Sequence, residues 1–264
     1  MSESMTEYPG LDVVRDGHTV VITMNNPPAN TWTVESLNGL SELLVELTRD
    51  REIYTLVLTG AGEKFFCAGA ELSLFAEGDA KGASVMADSF GRAFEALSEF
   101  RGLTIAAING YAMGGGLEVA LACDLRIAEQ SAQMALPEAT VGLLPCAGGT
   151  QNLPHLVGEG WAKRMILLGE RVDADTAEKI GLVESVVENG TALTAAKAWA
   201  QKATKQSPLS IEACKRLIQT SRKSPLWHGL SKERELFVGL FGTEDQKEGV
   251  QAFLDKRSPS WKNR

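Results

Sequence analysis

The 264-residue sequence is poor in the residues that staple a fold or hold a metal. It has four cysteines, Cys67, Cys123, Cys146 and Cys214, with no C-x-x-C pair. Its three scattered histidines, His18, His155 and His228, form no H-E-x-x-H. These spacings exclude the usual zinc frameworks, so no metal site is expected, and they point to reduced thiols and a cytoplasmic location. No apolar run approaches the roughly 18 residues of a membrane-spanning helix, so no membrane insertion is expected. Residues 1–10 are polar and acidic, with neither a basic stretch nor an apolar one. No secretory signal or mitochondrial presequence is expected there. Positive charge is also short: 26 Lys and Arg face 34 Asp and Glu, a net charge of −8. That is the wrong sign for neutralising phosphates, and no nucleic-acid partner is expected. Three fingerprints are missing as well. No G-x-G-x-x-G follows the first β-rich run, no G-x-S-x-G elbow exists, and residues 59–64 (Thr-Gly-Ala-Gly-Glu-Lys) match only part of a phosphate loop. A dinucleotide site, an α/β-hydrolase and a P-loop enzyme are therefore disfavoured.

What is present is a globular composition, 44% hydrophobic and 23% charged, in a chain long enough to bury a large core without disulfides. The length suits one core domain with an appended segment. Two β-rich runs, residues 11–14 and 19–24, flank Asp16-Gly17 and predict a hairpin. Val34, Leu37, Leu40, Leu43, Leu44 and Leu47 recur at helical spacing, with Thr33 as N-cap and Ser36 as its weaker partner. Short strands are predicted over residues 54–59, 103–108 and 124–128. Helices are predicted over 85–100 and from Gly114 to about 122, with a glycine-rich, mobile-looking stretch at 76–84. This alternation favours an α/β core. After about residue 190 alanine, lysine and glutamate dominate, and successive helices are predicted to about Leu254, with breaks at Pro208, Pro225 and Gly242. No repeat of fixed length is visible.

The chemistry-bearing residues cluster between 105 and 151. Gly114-Gly115-Gly116 costs backbone entropy, which makes sense where another group must approach the main chain. The three glycines also open a helix, whose free N–H groups can hold an oxyanion. A tight strand-to-helix turn explains them equally well. Glu118 in the first helical turn, and Glu138 after Pro137, each have an ordinary structural explanation. Together, near glycine-rich turns, two carboxylates can take different protonation states and divide base and acid roles. A second small-residue turn, Cys67-Ala68-Gly69-Ala70-Glu71, reads most simply as a buried turn. Cys146 has no histidine with a supporting motif and reads as a small packing residue rather than a nucleophile.

These motifs resemble those of the crotonase superfamily, close to its enoyl-CoA hydratase and isomerase branch, and the resemblance covers nearly the whole chain. It rests on residues 105–118, Leu136-Pro137-Glu138, residues 66–71 and the Asn-x-Pro turn at 25–30. Residues 173–183 and the C-terminal pattern from Glu248-Gly249 to Lys256-Arg257 complete it. The resemblance implies a crotonase-type α/β spiral of repeated ββα units with a C-terminal helical trimerisation region. Residues 1–190 would form the core with an acyl-CoA site, and residues 191–264 the helical oligomerisation segment of a homotrimer or of a hexamer built as a dimer of trimers. By matching position it implies Ala70 and Gly115 as oxyanion N–H donors and Glu118 and Glu138 as the two acids. Ala29, Lys64 and Ala68 fall near the coenzyme A contacts, and Gly114 and Cys146 fall at the substrate. Phe253 and Lys256 would reach the coenzyme of a neighbouring subunit. No cofactor is implied, because the coenzyme A thioester is itself the substrate.

The implied activity is enoyl-CoA hydration. An isomerase, a 3-hydroxyacyl-CoA dehydratase giving an unsaturated (including cis-2) product, and a non-catalytic acyl-CoA-binding protein are the alternatives. Three departures from the family pattern bear on the site. Cys146 stands where many hydratases have glycine, Asn152 replaces a frequent arginine, and Asn26-Pro27-Pro28-Ala29 is one residue shorter than the commonest form.

Overall fold

The hairpin predicted around Asp16-Gly17 pairs strand β2 (Leu11–Asp16) with β3 (Thr19–Met24), Asp16 opposite Thr19. A computed structural model of the chain describes residues 3–4, 8–71 and 78–264. From the hairpin the main sheet grows in one direction. It takes in β4 (Thr55–Gly60), β6 (Leu103–Ile108), β8 (Leu125–Glu129) and β11 (Ser185–Val187), all parallel to β3; β1 (Glu3–Ser4) borders β2 on the other side. β4 is buried along its full length, as expected of a parallel strand covered on both faces.

A second sheet of four strands, ordered β10-β9-β7-β5, is built from the crossovers: β5 (Phe65–Cys67), β7 (Tyr111–Met113), β9 (Gln133–Ala135) and β10 (Val172–Asp173). From β4 onward the chain repeats one unit three times: a main-sheet strand, a second-sheet strand, then a helix. The helices are α2 (Ala80–Glu99), α3 (Gly115–Ala122) and α4 (Gly149–Leu167). They span 20, 8 and 19 residues, the last broken at Gly158 (φ 74°, ψ 162°), so the structural repeat has no fixed sequence period.

Helix α1 (Val34–Arg49) starts where its cap predicts. The Ser36 N–H donates to the Thr33 hydroxyl, and the Thr33 N–H donates to Ser36 Oγ, so serine completes the reciprocal box usually made by glutamate. Its leucines, with the apolar faces of α2 and α3, fill the main core. Helix α2 begins earlier than the apolar periodicity predicts, at Ala80 rather than residue 85. Asp79 caps the N–H groups of Lys81 and Gly82 there, which offsets the cost of about 1 kcal/mol of a glycine inside a helix. Residues 76–77 of the stretch read as mobile lie outside the described residues, and Ala80–Ser84 are helical.

Beyond α5 (Ala174–Lys179) and β11 come four helices: α6 (Ala192–Ala203), α7 (Pro208–Ser221), α8 (Leu226–Leu240) and α9 (Glu244–Leu254). Pro208 opens α7, Pro225 precedes α8 and Gly242 follows it, so the three breaks lie where the sequence marks them. α6 lays Ala192, Ala196 and Ala200 against Val57, Ile105 and Ile127, covering the second face of the main sheet. α8 buries no residue of its own within the chain.

One ion pair ties this helical region to the strands below the site. Lys215 of α7, 9% exposed, donates to Asp124 Oδ2 at 2.8 Å and to the Gly102 carbonyl at 3.0 Å. The same oxygen of Asp124 accepts from the N–H and hydroxyl of Thr104. Removing one partner of a buried pair costs about 3–5 kcal/mol when both are enclosed. Asp124 keeps some solvent contact, so Lys215→Ala is expected to cost about 2 kcal/mol. Urea denaturation checks this, and a change under ~0.5 kcal/mol would show that the pair does not fasten α7.

Candidate active site

The glycine run places a helix end where a side chain would block it. Gly116 lies so near the exit of β5 that a Cβ would sit 2.0 Å from the Cys67 carbonyl oxygen. Gly114, the N-cap of α3, has φ 52° and ψ −126°, and a Cβ there would stand 3.2 Å from Glu138 Oε1. Both requirements concern the approach of other groups to the main chain. The glycine run is therefore more than turn punctuation.

Beside it runs the second small-residue turn. The Trp32 N–H donates to the Gly69 carbonyl and the Glu71 N–H donates to the Trp32 carbonyl, a parallel bridge centred on Ala70. This pattern uses the groups on either side of Ala70 and leaves its own N–H facing away from the bridge. The N–H of Gly115, first residue of α3, has no acceptor within its helix. The two turns are adjacent: a Cβ on Gly69 would lie 3.5 Å from Gly115 N. Asn30 pins the 25–30 turn to the same region through Nδ2 donation to the carbonyls of Ala61 and Phe65, each at 2.9 Å.

Glu118 sits one turn into α3 and is 2% exposed. Its Oε1 accepts from the N–H groups of Ala147 and Gly149, both at 2.8 Å. Gly149 begins α4, so this carboxylate is held by the N-terminus of a second helix rather than only by the dipole of its own. Burial pushes the Glu118 carboxyl above the ordinary range, and the two N–H donors oppose the rise. Glu138 starts a 3₁₀ turn, Glu138–Val141, that closes on the left-handed Gly142. Both its carboxyl oxygens are buried and make no hydrogen bond among the described residues. Burial, with its own backbone N–H opposing and the Glu118 charge adding, pushes Glu138 up to about 7.

The two acids face one cavity of about 220 Å³ that also touches Ala68, Ala70, Gly114 and Gly115. Cys146 lines it too, and its side chain is exposed. Cys146 therefore stands at the cavity wall, where the resemblance puts it at the substrate, rather than in a packed interior. Partial burial and the charges of Glu118 and Glu138 push that thiol up to about 11, so it stays protonated at neutral pH and is a poor nucleophile.

Four other positions named from the resemblance do not line the cavity. Ala29 meets the site through its carbonyl, which accepts from the Ala68 N–H at 3.0 Å. Lys64 is exposed, its ammonium 5.2 Å from the Phe65 ring. Phe253, 84% exposed at the end of α9, and Lys256 just beyond it lie on the outer helical region. Phe90, Leu143 and Leu144 line the cavity without having been singled out. Phe90 carries only the ordinary apolar periodicity of α2. Leu143-Leu144 follows Gly142 as an exposed apolar pair, a signal the sequence does display. Among the described residues no cluster of three His, Cys, Asp or Glu side chains could hold a metal ion. Among those same residues, no helix is long and apolar enough to cross a membrane.

Comparison with known proteins identifies the family. The residue pattern of the enoyl-CoA hydratase/isomerase family matches residues 15–264. A curated relative, 2,3-dehydroadipyl-CoA hydratase of Escherichia coli strain K12, is 40% identical over 257 residues, which is 96% of this chain and 99% of that protein. The solved structure of Pseudomonas aeruginosa DspI superposes with a TM-score of 0.95 at 61% identity, covering 98% of each chain. An enoyl-CoA hydratase from Bacillus anthracis superposes with a TM-score of 0.93 at 36% identity, covering 97% of this chain and all of that one. The repeated ββα spiral with its helical C-terminal region is the crotonase fold, and the chain belongs to the enoyl-CoA hydratase/isomerase family of enzymes.

Proposed function

We propose that the protein is an enoyl-CoA hydratase, adding water reversibly to a 2-enoyl-CoA thioester to give the 3-hydroxyacyl-CoA. The observation that carries this reading is the pairing of two differently held carboxylates on one small cavity. Glu118 accepts two N–H bonds on Oε1, which favours its charged form and leaves Oε2 free to take a proton from water. Glu138, raised to about 7 and without a hydrogen-bond partner, carries a proton that it can deliver. In the hydration direction the water oxygen bonds to Cβ while Glu118 receives the water proton. The Cβ=Cα electron pair moves toward the thioester, and Glu138 protonates Cα. The thioester oxygen gains charge as the enolate-like state forms. The N–H groups of Ala70 and Gly115 are proposed as its donors, each worth about 3 kcal/mol by comparison with other oxyanion holes. In reverse, dehydration uses the same groups with their roles exchanged. The relatives named as hydratases of coenzyme A thioesters support this substrate class.

A homotrimer, or a dimer of trimers, is proposed to cover the outer helices. Leu226, Trp227, Phe237, Val238 and Phe241 leave an exposed apolar face on and after α8, larger than scattered surface residues explain. In such an assembly Phe253 and Lys256 would approach a neighbour's coenzyme. A cytoplasmic location remains part of this reading.

Glu118→Gln and Glu138→Gln are each expected to lower turnover by about 10²–10⁴-fold with little loss of thioester binding. Steady-state kinetics on a 2-enoyl-CoA panel with chiral product analysis test this, and near wild-type turnover in either variant would remove that residue from the mechanism. The pH dependence follows from the raised Glu138. Hydration needs its protonated form, so kcat/KM is expected to fall as pH rises through about 7, a limb that Glu138→Gln lacks. Because the folded state favours the proton, the stability contributed by this group is full below pH 4.5 and is lost as pH rises through about 7. Melting curves should therefore drop relative to Glu138→Gln across that window. For the assembly, light scattering at micromolar concentration is expected to give a trimer or a multiple of it. A stable monomer would refute the proposed use of the α8 face.

A further inference from the structure

Trp32, 2% exposed, joins the two turns that carry the proposed oxyanion donors. Its main chain belongs to one of them. The Trp32 N–H donates to the Gly69 carbonyl at 2.8 Å, and its carbonyl accepts from the Glu71 N–H at 3.3 Å, so the pair brackets Ala70. Its indole belongs to the other. A Cβ on Gly115 would stand 3.6 Å from Trp32 Cδ1, so the ring lies against the start of α3. The chain on either side of Trp32 is fixed. Asn30, at φ 55°, is held by the carbonyls of Ala61 and Phe65, and the Asn26 amide donates to the Thr31 carbonyl at 2.7 Å. Thr33 then opens the capping box of α1.

The ring is fixed as well. Phe94 of α2 meets it edge to face with centroids 5.6 Å apart, and Phe94 meets Phe90 in the same way at 5.3 Å. Phe90 reaches the same glycine: a Cβ on Gly115 would stand 2.9 Å from its Cε1. Of these three rings, only that of Trp32 sits on a main chain paired with the Ala70 turn. Trp32 also carries a cost. Its Nε1 is buried with no acceptor among the described residues, which a leucine or phenylalanine would avoid while still filling the core. A local rule broken in this way is expected where geometry at a site, rather than packing, is served.

We propose that Trp32 is a positioning residue, setting the spacing and aim of the Ala70 and Gly115 N–H groups on the thioester oxygen. It acts through the main chain of both turns and is not among the residues lining the cavity. This rests on the oxyanion-hole part of the hydratase reading.

Four variants test it, after melting curves confirm folding. Trp32→Leu removes the ring and keeps the main chain, and Trp32→Phe returns a ring. Phe94→Leu leaves Trp32 in place and removes its edge-to-face support. Leu44→Ala, in the same core on α1, controls for lost packing. Each is assayed for hydration of 2-butenoyl-CoA, and the infrared carbonyl stretch of bound butanoyl-CoA is compared with that of the free thioester. In the unaltered protein the stretch is expected to move to lower frequency on binding, because two aimed donors polarise the carbonyl. In Trp32→Leu that shift is expected to shrink and kcat to fall by about 10–100-fold with KM little changed, the scale of a misplacement of about 1 Å. Trp32→Phe is expected to recover most of both. Phe94→Leu is expected to lose less in the same direction, and Leu44→Ala to keep both despite a lower melting temperature. A full shift with unchanged kcat in Trp32→Leu overturns the proposal, and so does an equal loss in Leu44→Ala. If Trp32→Leu does not fold, Phe94→Leu decides by the same criterion. If the unaltered protein shifts the carbonyl but hydrates no thioester, the hydratase reading fails by itself, and the shift in the variants still judges Trp32. If the unaltered protein binds butanoyl-CoA with no shift, the oxyanion hole fails and the role of Trp32 with it.

Discussion

The site depends on one shared oxygen. Glu118 Oε1 receives N–H groups from Ala147 and Gly149, so a carboxylate on α3 closes the start of α4. Without it, two main-chain donors at the α4 N-terminus would be buried unpaired, at a cost of about 1–3 kcal/mol each. With it, the loop carrying Cys146 is drawn against the first turn of α3, and the cavity gains its third wall. The contact is tight enough that Gly149 tolerates no side chain: a Cβ there would lie 2.9 Å from the same oxygen. One residue thus serves both as a proposed base and as the joint between two repeats of the fold.

The two acids differ because their surroundings differ. Glu118 is deeply buried but has donors on one oxygen. Glu138 is less buried, has only its own backbone N–H to oppose the rise, and also feels the charge of Glu118. Burial raises both carboxyls, hydrogen bonding restrains only the first strongly, and their proximity separates them further. Two like groups in one cavity titrate as a pair, so the useful property is the difference in how their charged forms are held. The scaffold maintains that difference by supplying main-chain N–H groups to Glu118 and closing Gly114 against Glu138.

Much of this was legible in the residue order. The β2–β3 hairpin, α1 with its Thr33 cap, and the strand at 103–108 follow from turn chemistry and periodicity that act within a few residues. The start of α2 was missed because a single cap at Asp79 outweighs the glycine that follows it, a local term that apolar periodicity does not register. The ββα repeat was not legible as a repeat, since helices of 20, 8 and 19 residues hide its period. The resemblance to a family supplied that architecture, and the strand order bears it out.

By itself the sequence determined the local elements, the glycine-rich turns and the presence of two acids within a short span, because these depend on backbone freedom, capping and side-chain type. Only the tertiary structure decided which groups meet. It brought Gly69 beside Gly115, set Glu118 on the end of α4 and left Glu138 without a partner. It also left Cys146 exposed on the wall of the cavity that holds both acids. The reason is that contacts between residues 29–31 residues apart, as for Glu118 with Ala147 and Gly149, are set by how β7, β9 and the helices after them stack. No property of the isolated segments specifies that stacking.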